Sequence, residues 1–149
     1  TGENSITPAS FKTKLNKKYF ASFSEVQKAQ KGKGQQCLID ARPAAFFTGD
    51  KKHAKARIPG RLANARNLQE GNLIDDSFKM KSSSAIKSQF GGLDGIEQYK
   101  GYISYCNTGH WAATVWFGLS EIAQIPNVKM YDGGMTHWTS NPKRKVDLG

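Results

Sequence analysis

Three short apolar runs, separated by segments with a helical pattern, constrain the fold of this chain more than any other feature. The runs lie at residues 37–40 (CLID), 101–106 (GYISYC) and 127–134 (NVKMYDGG), and turn-forming residues bound them. Short apolar runs of this kind are typical of strands in a buried parallel sheet. Strands that alternate with helices predict an α/β fold: an open parallel sheet of about five strands with helices on both faces.

Capping residues mark where the helices begin. Residues 22–25 (SFSE) have the spacing of a capping box, which predicts a helix from about residue 23 to residue 29 or slightly beyond. A serine before residues 83–90 and paired glycines after them predict another helix. Apolar residues at helical spacing over 111–124 predict a helix that is packed on several sides. Another turn of helix is expected at 93–99, and a last short helix begins near 135–138.

The rest of the chain shows little regular pattern. Residues 41–71 are rich in Gly, Pro and charge, and residues 1–21 are polar. We expect 1–21 to be a linker or wrapping arm and 22–149 to form one domain. The chain starts at Thr1 without methionine, which suggests a processed or excised piece, and export to a bacterial periplasm is favoured over the cytoplasm.

Composition excludes several classes of protein. The net charge of +10 comes mostly from lysines within 12–33, 51–57 and 143–145, with few aromatic residues between them. This pattern favours a basic surface that attracts small anions over a nucleic-acid groove. No apolar stretch approaches the roughly 18–20 residues of a membrane span. Two cysteines without a CxxC pair and three scattered histidines argue against a disulfide scaffold and a metal site, and no cofactor is expected.

Cys106 lies where a predicted strand meets a predicted helix, in the stretch YCNTGHWAAT. In a parallel sheet, ligands bind beyond the carboxyl ends of the strands, and Asp40 also falls at such an end. Backbone N–H groups of a short loop and of the first helical turn stabilise a thiolate, which is the nucleophilic form of cysteine. Gly109 gives that loop the conformational freedom it needs. A buried structural thiol is the alternative, and it is favoured for Cys37.

A cysteine phosphatase also cradles an anion in a loop after a strand. That class carries an arginine six positions after the cysteine, and the residue there is Ala112. The phosphatase interpretation is therefore poor.

Residues 22–138 resemble the rhodanese (sulfurtransferase) domain family at four places. They are LIDAR (38–42), RIPGRLANA (57–65), ISYCNTGHWAAT (103–114) and YDGGMTHW (131–138). The resemblance implies that Cys106 accepts a sulfane sulfur as a persulfide and passes it to a thiol or cyanide. The implied partners are small sulfur-containing anions, with a sulfur-accepting protein as a further candidate. The alternative is a rhodanese-like sulfur carrier or binding module dedicated to one protein, and the chain could be one half of a tandem rhodanese.

Site roles follow from the same resemblance. The expected substrate-binding residues include the loop and the start of the helix that follows it: Asn107, Thr108, Gly109, His110 and Trp111. Arg57, where the family usually has histidine, is expected to contact an anion. Arg42 is open between substrate binding and a structural role, and Asp40 is expected to give structural support. Because this loop has fewer cations than the loops of thiosulfate-using members, weak activity with thiosulfate is expected.

Overall fold

The sheet has four strands, all parallel, in a computed structural model that describes residues 8–14 and 16–148. Its strands, in chain order, are β1 (Gln36–Asp40), β2 (Arg66–Asn67), β3 (Gly101–Tyr105) and β4 (Val128–Tyr131). Their order across the sheet is β2-β1-β3-β4. The predicted open parallel α/β sheet is therefore confirmed, with four strands in the described part of the chain against about five expected.

In the described residues, five α-helices precede, connect or follow the strands. They are α1 (Phe23–Gln30), α2 (Ala44–Thr48), α3 (Ser83–Gly91), α4 (His110–Phe117) and α5 (Gly134–Ser140). Helix α4 continues as a π-helical turn, Gly118–Ile122. Shorter 3₁₀ turns occur at Lys17–Tyr19, Glu70–Leu73 and Ile96–Gln98.

Helices cover both faces of the sheet, as predicted. Successive side chains of a strand point to opposite faces. In β1, Cys37 and Ile39 therefore pack with the side chains of α3 and α4, whereas Leu38 packs with those of α1 and α5. The register pairs Asp40 with Tyr105 and Tyr105 with Tyr131, so three strands end at one level.

The capping box before α1 is present. The Ser22 hydroxyl accepts a hydrogen bond from the Glu25 N–H at 3.3 Å, and the Glu25 carboxylate accepts one from the Ser22 N–H at 2.8 Å. The same carboxylate pairs with Lys129 of β4 at 2.6 Å. The local sequence signal thus fixes both the start of α1 and its attachment to the sheet.

One segment has more regular structure than the sequence pattern predicted. Residues 41–71 contain α2 and β2, which the sequence pattern did not reveal because both are very short. The arm at 1–21 lies partly outside the described residues. Its described end packs on the sheet, since the Ala21 N–H donates to the Met130 carbonyl at 2.8 Å and Phe20 forms a single-residue bridge with Met130.

The buried thiol of Cys37 gives a testable pH dependence. Burial raises its pKa from 9.0 to about 11, so the folded protein holds this proton more tightly than the unfolded chain. The stability that the neutral thiol contributes is complete below pH 9 and is lost as the pH rises towards 11. We expect the free energy of unfolding to fall more steeply over this range in the wild type than in Cys37→Ala, as measured by urea denaturation.

Burial also raises the pKa of Tyr131, to about 12, but this group is present in both proteins and its contribution cancels. Parallel profiles for the two proteins would show that Cys37 is not held as a neutral thiol in the fold.

Candidate active site

The loop at Cys106 is short, and one of its backbone amides contacts the sulfur. Strand β3 ends at Tyr105 and α4 begins at His110. The Gly109 N–H donates to Cys106 Sγ at 3.1 Å. Gly109 has a φ of 96°, and a Cβ there would lie 2.7 Å from Asp132 Oδ1, so glycine is required at this position as the sequence predicted.

The amino-terminal end of α5 holds the carbonyl side of the same loop. The Met135 N–H donates to the Cys106 carbonyl at 2.8 Å, and the Thr136 N–H donates to the Asn107 carbonyl at 3.1 Å. A Cβ on Gly134, whose φ is 52°, would lie 2.5 Å from the Cys106 carbonyl oxygen. In the sequence, the paired glycines after β4 mark the end of a strand. Their second effect is that α5 can approach the loop closely and fix its carbonyls.

A buried ion pair supports the loop from β1. Arg42 Nε lies 2.8 Å from Asp40 Oδ1, Arg42 Nη2 lies 2.6 Å from Asp40 Oδ2, and both side chains are almost fully buried. Burial by itself lowers the pKa of Arg42, but the Asp40 carboxylate more than offsets this and raises it above its ordinary value. Arg42 Nη2 also donates to the Gly60 carbonyl at 2.9 Å, and Nη1 lies 3.4 Å from Asn107 Oδ1.

The contacts of the two side chains are those of an internal support. The Asp40 carboxylate accepts hydrogen bonds from the side chain and the backbone N–H of Arg42, and structural support stays a prediction for it. Arg42 is 2% exposed, its guanidinium contacts Asp40, Gly60 and Asn107, and it is not among the residues that line the cleft at Cys106.

A cleft of about 240 Å³ opens beside Cys106. The residues that line it are His53, Cys106, Asn107, Thr108, His110 and Trp111. His110 Nδ1 lies 3.3 Å from Thr108 Oγ1, and the Trp111 ring meets the ring of Phe46 edge-on with centroids 6.0 Å apart. The structure thus brings the predicted loop residues together around Cys106, with Gly109 contacting the sulfur directly.

Two residues are placed differently from the expectation. Arg57 is exposed and does not line the cleft, and its backbone N–H donates to Thr139 Oγ1 of α5 at 2.9 Å. His53, which sequence reasoning treated as one of three scattered histidines, does line it. The position of His53 shortly before the RIPGRLANA stretch (57–65) was the only sequence signal for a place near the cleft, and His53 belongs to no recognisable motif.

Other sites are less suited to chemistry. A larger groove of about 640 Å³ lies at the amino-terminal edge of the sheet, and its lining contains neither cysteine nor histidine.

Within residues 8–14 and 16–148, no group of three or more His, Cys, Asp or Glu side chains is placed to hold a metal ion. None of the helices in this part of the chain has the length and apolar character to cross a membrane.

Comparison with known proteins identifies the class. The model of the Rhodanese-like domain family matches residues 22–141, and the chain belongs to this family. A Saccharopolyspora erythraea protein, provisionally named a thiosulfate sulfurtransferase, is 31% identical over 114 residues, which cover 72% of this chain and 40% of the relative. The 3-mercaptopyruvate sulfurtransferase of Escherichia coli is 30% identical over 111 residues, or 74% and 38% of the two chains. This chain therefore spans about two-fifths of the length of these relatives.

Solved structures agree on the fold. The enzyme EanB in complex with ergothioneine superposes with a TM-score of 0.78 over 89% of this chain and 32% of EanB, at 19% identity. Another EanB structure holds a cysteine persulfide. At this level of identity, the likeness concerns the fold alone.

The ion pair beneath the loop yields a stability prediction. Asp40→Asn leaves the buried guanidinium of Arg42 without its charge partner, which is expected to cost about 3–5 kcal/mol of unfolding free energy. The matched control is Asp94→Asn, whose carboxylate is 98% exposed and lies 3.7 Å from Arg66; no measurable change is expected there. Urea denaturation of both variants tests this, and equal midpoints would show that Asp40 does not stabilise the fold through Arg42.

Proposed function

We propose that this domain is a sulfurtransferase that moves sulfane sulfur through a persulfide on Cys106. The observation that carries the proposal is the position of Cys106 Sγ. It accepts the Gly109 N–H at 3.1 Å, and Cys106 lines an open cleft at the carboxyl end of β3. Membership of the Rhodanese-like domain family and the sulfurtransferase names of the relatives support this interpretation.

The reaction has two displacement steps. The Cys106 thiolate attacks the sulfane sulfur of a donor such as thiosulfate, a sulfur–sulfur bond forms, and sulfite leaves with the electron pair of the bond that breaks. A thiolate or cyanide then attacks the outer sulfur of the persulfide. The second displacement restores the Cys106 thiolate, so no external oxidant or reductant is required.

Backbone groups supply the local positive potential. The first N–H groups of α4 lack carbonyl partners in the helix, and together with the Gly109 N–H they favour negative charge at the sulfur. The same groups stabilise the persulfide anion after transfer. Cys106 therefore needs no side-chain base in contact with its sulfur.

Side chains around the cleft have separate roles in this proposal. Thr108 and His110 offer polar contacts to a bound anion, Asn107 lines the floor beside Cys106, and Trp111 forms a wall. Arg57, exposed outside the cleft, acts at longer range by adding to the positive field that draws anions in. The physiological acceptor is a thiol, cyanide or the thiol of a protein; a carrier dedicated to one protein would perform only the first step with small molecules.

Replacement of the nucleophile tests the mechanism. Cys106→Ser should abolish persulfide formation, because a serine hydroxyl is far less acidic than a thiol and does not attack sulfane sulfur. After incubation with thiosulfate, mass spectrometry of the wild type should show one added sulfur atom on Cys106, and cyanide should remove it as thiocyanate. The matched control is Cys37→Ala, which should load sulfur like the wild type because Cys37 is buried in β1 away from the cleft.

Thiocyanate production by Cys106→Ser would contradict the mechanism. A wild-type persulfide that cyanide and small thiols leave intact would instead favour the dedicated carrier. Loss of loading in a folded Cys37→Ala protein would show that Cys37 takes part in transfer.

The role of Arg57 is tested by its dependence on salt. Arg57→Ala should lower the rate of sulfur loading from thiosulfate a few-fold at low ionic strength, and the two proteins should converge at high salt, because long-range attraction is screened. Stopped-flow loading at several salt concentrations measures this. A defect that persists unchanged at high salt would mean that Arg57 contacts the donor directly.

A further inference from the structure

His53 reaches the cleft from a different part of the chain. Among the side chains that line the cleft within the described residues, it alone comes from outside residues 106–111. It is half-buried and lies in the segment between α2 and β2. The reaction described above gives this imidazole no role, although it shares a cleft with the nucleophile.

Hydrogen bonds fix the segment that carries His53. The Ala56 N–H donates to the His53 carbonyl at 2.9 Å, and the Lys52 ammonium donates to the Ala56 carbonyl at 2.8 Å. One residue further on, the Arg57 N–H is bound by Thr139 of α5. The segment is thus a closed turn that is tied to the helix supporting the catalytic loop, and the charge of Lys52 is engaged by the turn itself.

The turn also sets which nitrogen of the His53 ring carries the proton. The Lys55 N–H donates to His53 Nδ1 at 3.2 Å, so Nδ1 is the acceptor. A neutral imidazole has one donor and one acceptor nitrogen, and the proton is therefore on Nε2. The Nε2–H is thus the donor that the ring retains, on a residue that lines the cleft.

We propose that His53 binds the oxyanionic end of the sulfur donor, donating a hydrogen bond from Nε2 to a donor oxygen while Cys106 attacks the sulfane sulfur. The inference rests on the proposed sulfurtransferase function and adds a residue that distinguishes donors with an oxyanionic end from donors without one. As the sulfur–sulfur bond breaks, the sulfite oxygens gain negative charge and the hydrogen bond strengthens. His53 is thus a specificity residue: a donor without oxygen gains nothing from it.

Two substitutions of His53 separate the role of its Nδ1 from the role of its Nε2. In His53→Asn, the amide oxygen can still accept the Lys55 N–H, but nothing replaces Nε2. In His53→Gln, the longer amide can place an N–H donor near the position of Nε2. The two donors to compare are thiosulfate and an alkyl hydropersulfide, which carries transferable sulfur but no oxygen; Cys106 takes its outer sulfur and an alkyl thiolate leaves.

The measurement is the single-turnover rate of persulfide formation with each donor. His53→Asn should lower the rate with thiosulfate about tenfold or more, which corresponds to the loss of one hydrogen bond to a charged group. Its rate with the hydropersulfide should match the wild type, and His53→Gln should recover part of the thiosulfate rate. Alkylation of Cys106 by neutral iodoacetamide should be equal in all three proteins, which shows that the catalytic loop is intact.

Equal losses with both donors would overturn the proposal, since His53 would then act through the loop. Normal thiosulfate loading in His53→Asn would overturn it as well, while leaving the sulfurtransferase function in place. A wild-type protein that forms a persulfide with neither donor contradicts the sulfurtransferase function itself, and the role of His53 with it.

Discussion

The buried ion pair between Asp40 and Arg42 connects four of the segments that meet at the carboxyl edge of the sheet. Arg42 binds the Gly60 carbonyl and reaches the Asn107 side chain, so one guanidinium joins β1, the RIPG segment and the catalytic loop. The side-chain amide of Asn67 connects β2 to the same two residues. It donates to the Asp40 carbonyl at 2.9 Å and to the Arg42 carbonyl at 2.8 Å. Removal of two charges from water is costly, and the forked geometry with several further hydrogen bonds is what offsets this cost.

The loop of residues 106–109 is held from two sides. Helix α5 binds the carbonyls of Cys106 and Asn107, and the Gly109 N–H donates to the sulfur. Helix α4 begins directly after the loop, and its first N–H groups lack partners within the helix. In the proposed reaction these backbone groups are preorganised, because they need no rearrangement as charge develops on sulfur. Under the same proposal, the side chains of the cleft determine which molecules enter.

Sequence reasoning succeeded where the signal was local. The Ser22–Glu25 capping box spans four residues, and its geometry follows from their spacing. The Cys106–Gly109 loop also spans four residues, and its place between a strand and a helix could be predicted, whereas the contacts that orient it come from α5. Strand β2 has only two residues and is defined by pairing with β1, which no periodicity within 41–71 could show.

Contacts between distant segments could not be predicted from the sequence for a related reason. The link from Arg42 to Asn107 joins residues 65 positions apart, and it depends on a strand register that a single sequence does not specify. His53 enters the cleft through a turn built from backbone carbonyls and a lysine, a combination without a sequence signature. The apolar spacing over 111–124 correctly predicted a helix but gave no sign of its π-helical turn, where Gly118 packs closely against Met80 and Leu73.

The close approach of Gly134 to the Cys106 carbonyl bears on any attempt to transplant this chemistry. A designer who copied only the four residues of the loop into another parallel sheet would copy the donors but not the groups that orient them. The loop's carbonyls are held by a helix that follows the next strand along the chain, and that helix can come near enough only through a residue without a side chain. The smallest unit that keeps the contacts to the loop's carbonyls is therefore β3, the loop, α4, β4 and the beginning of α5 with its paired glycines.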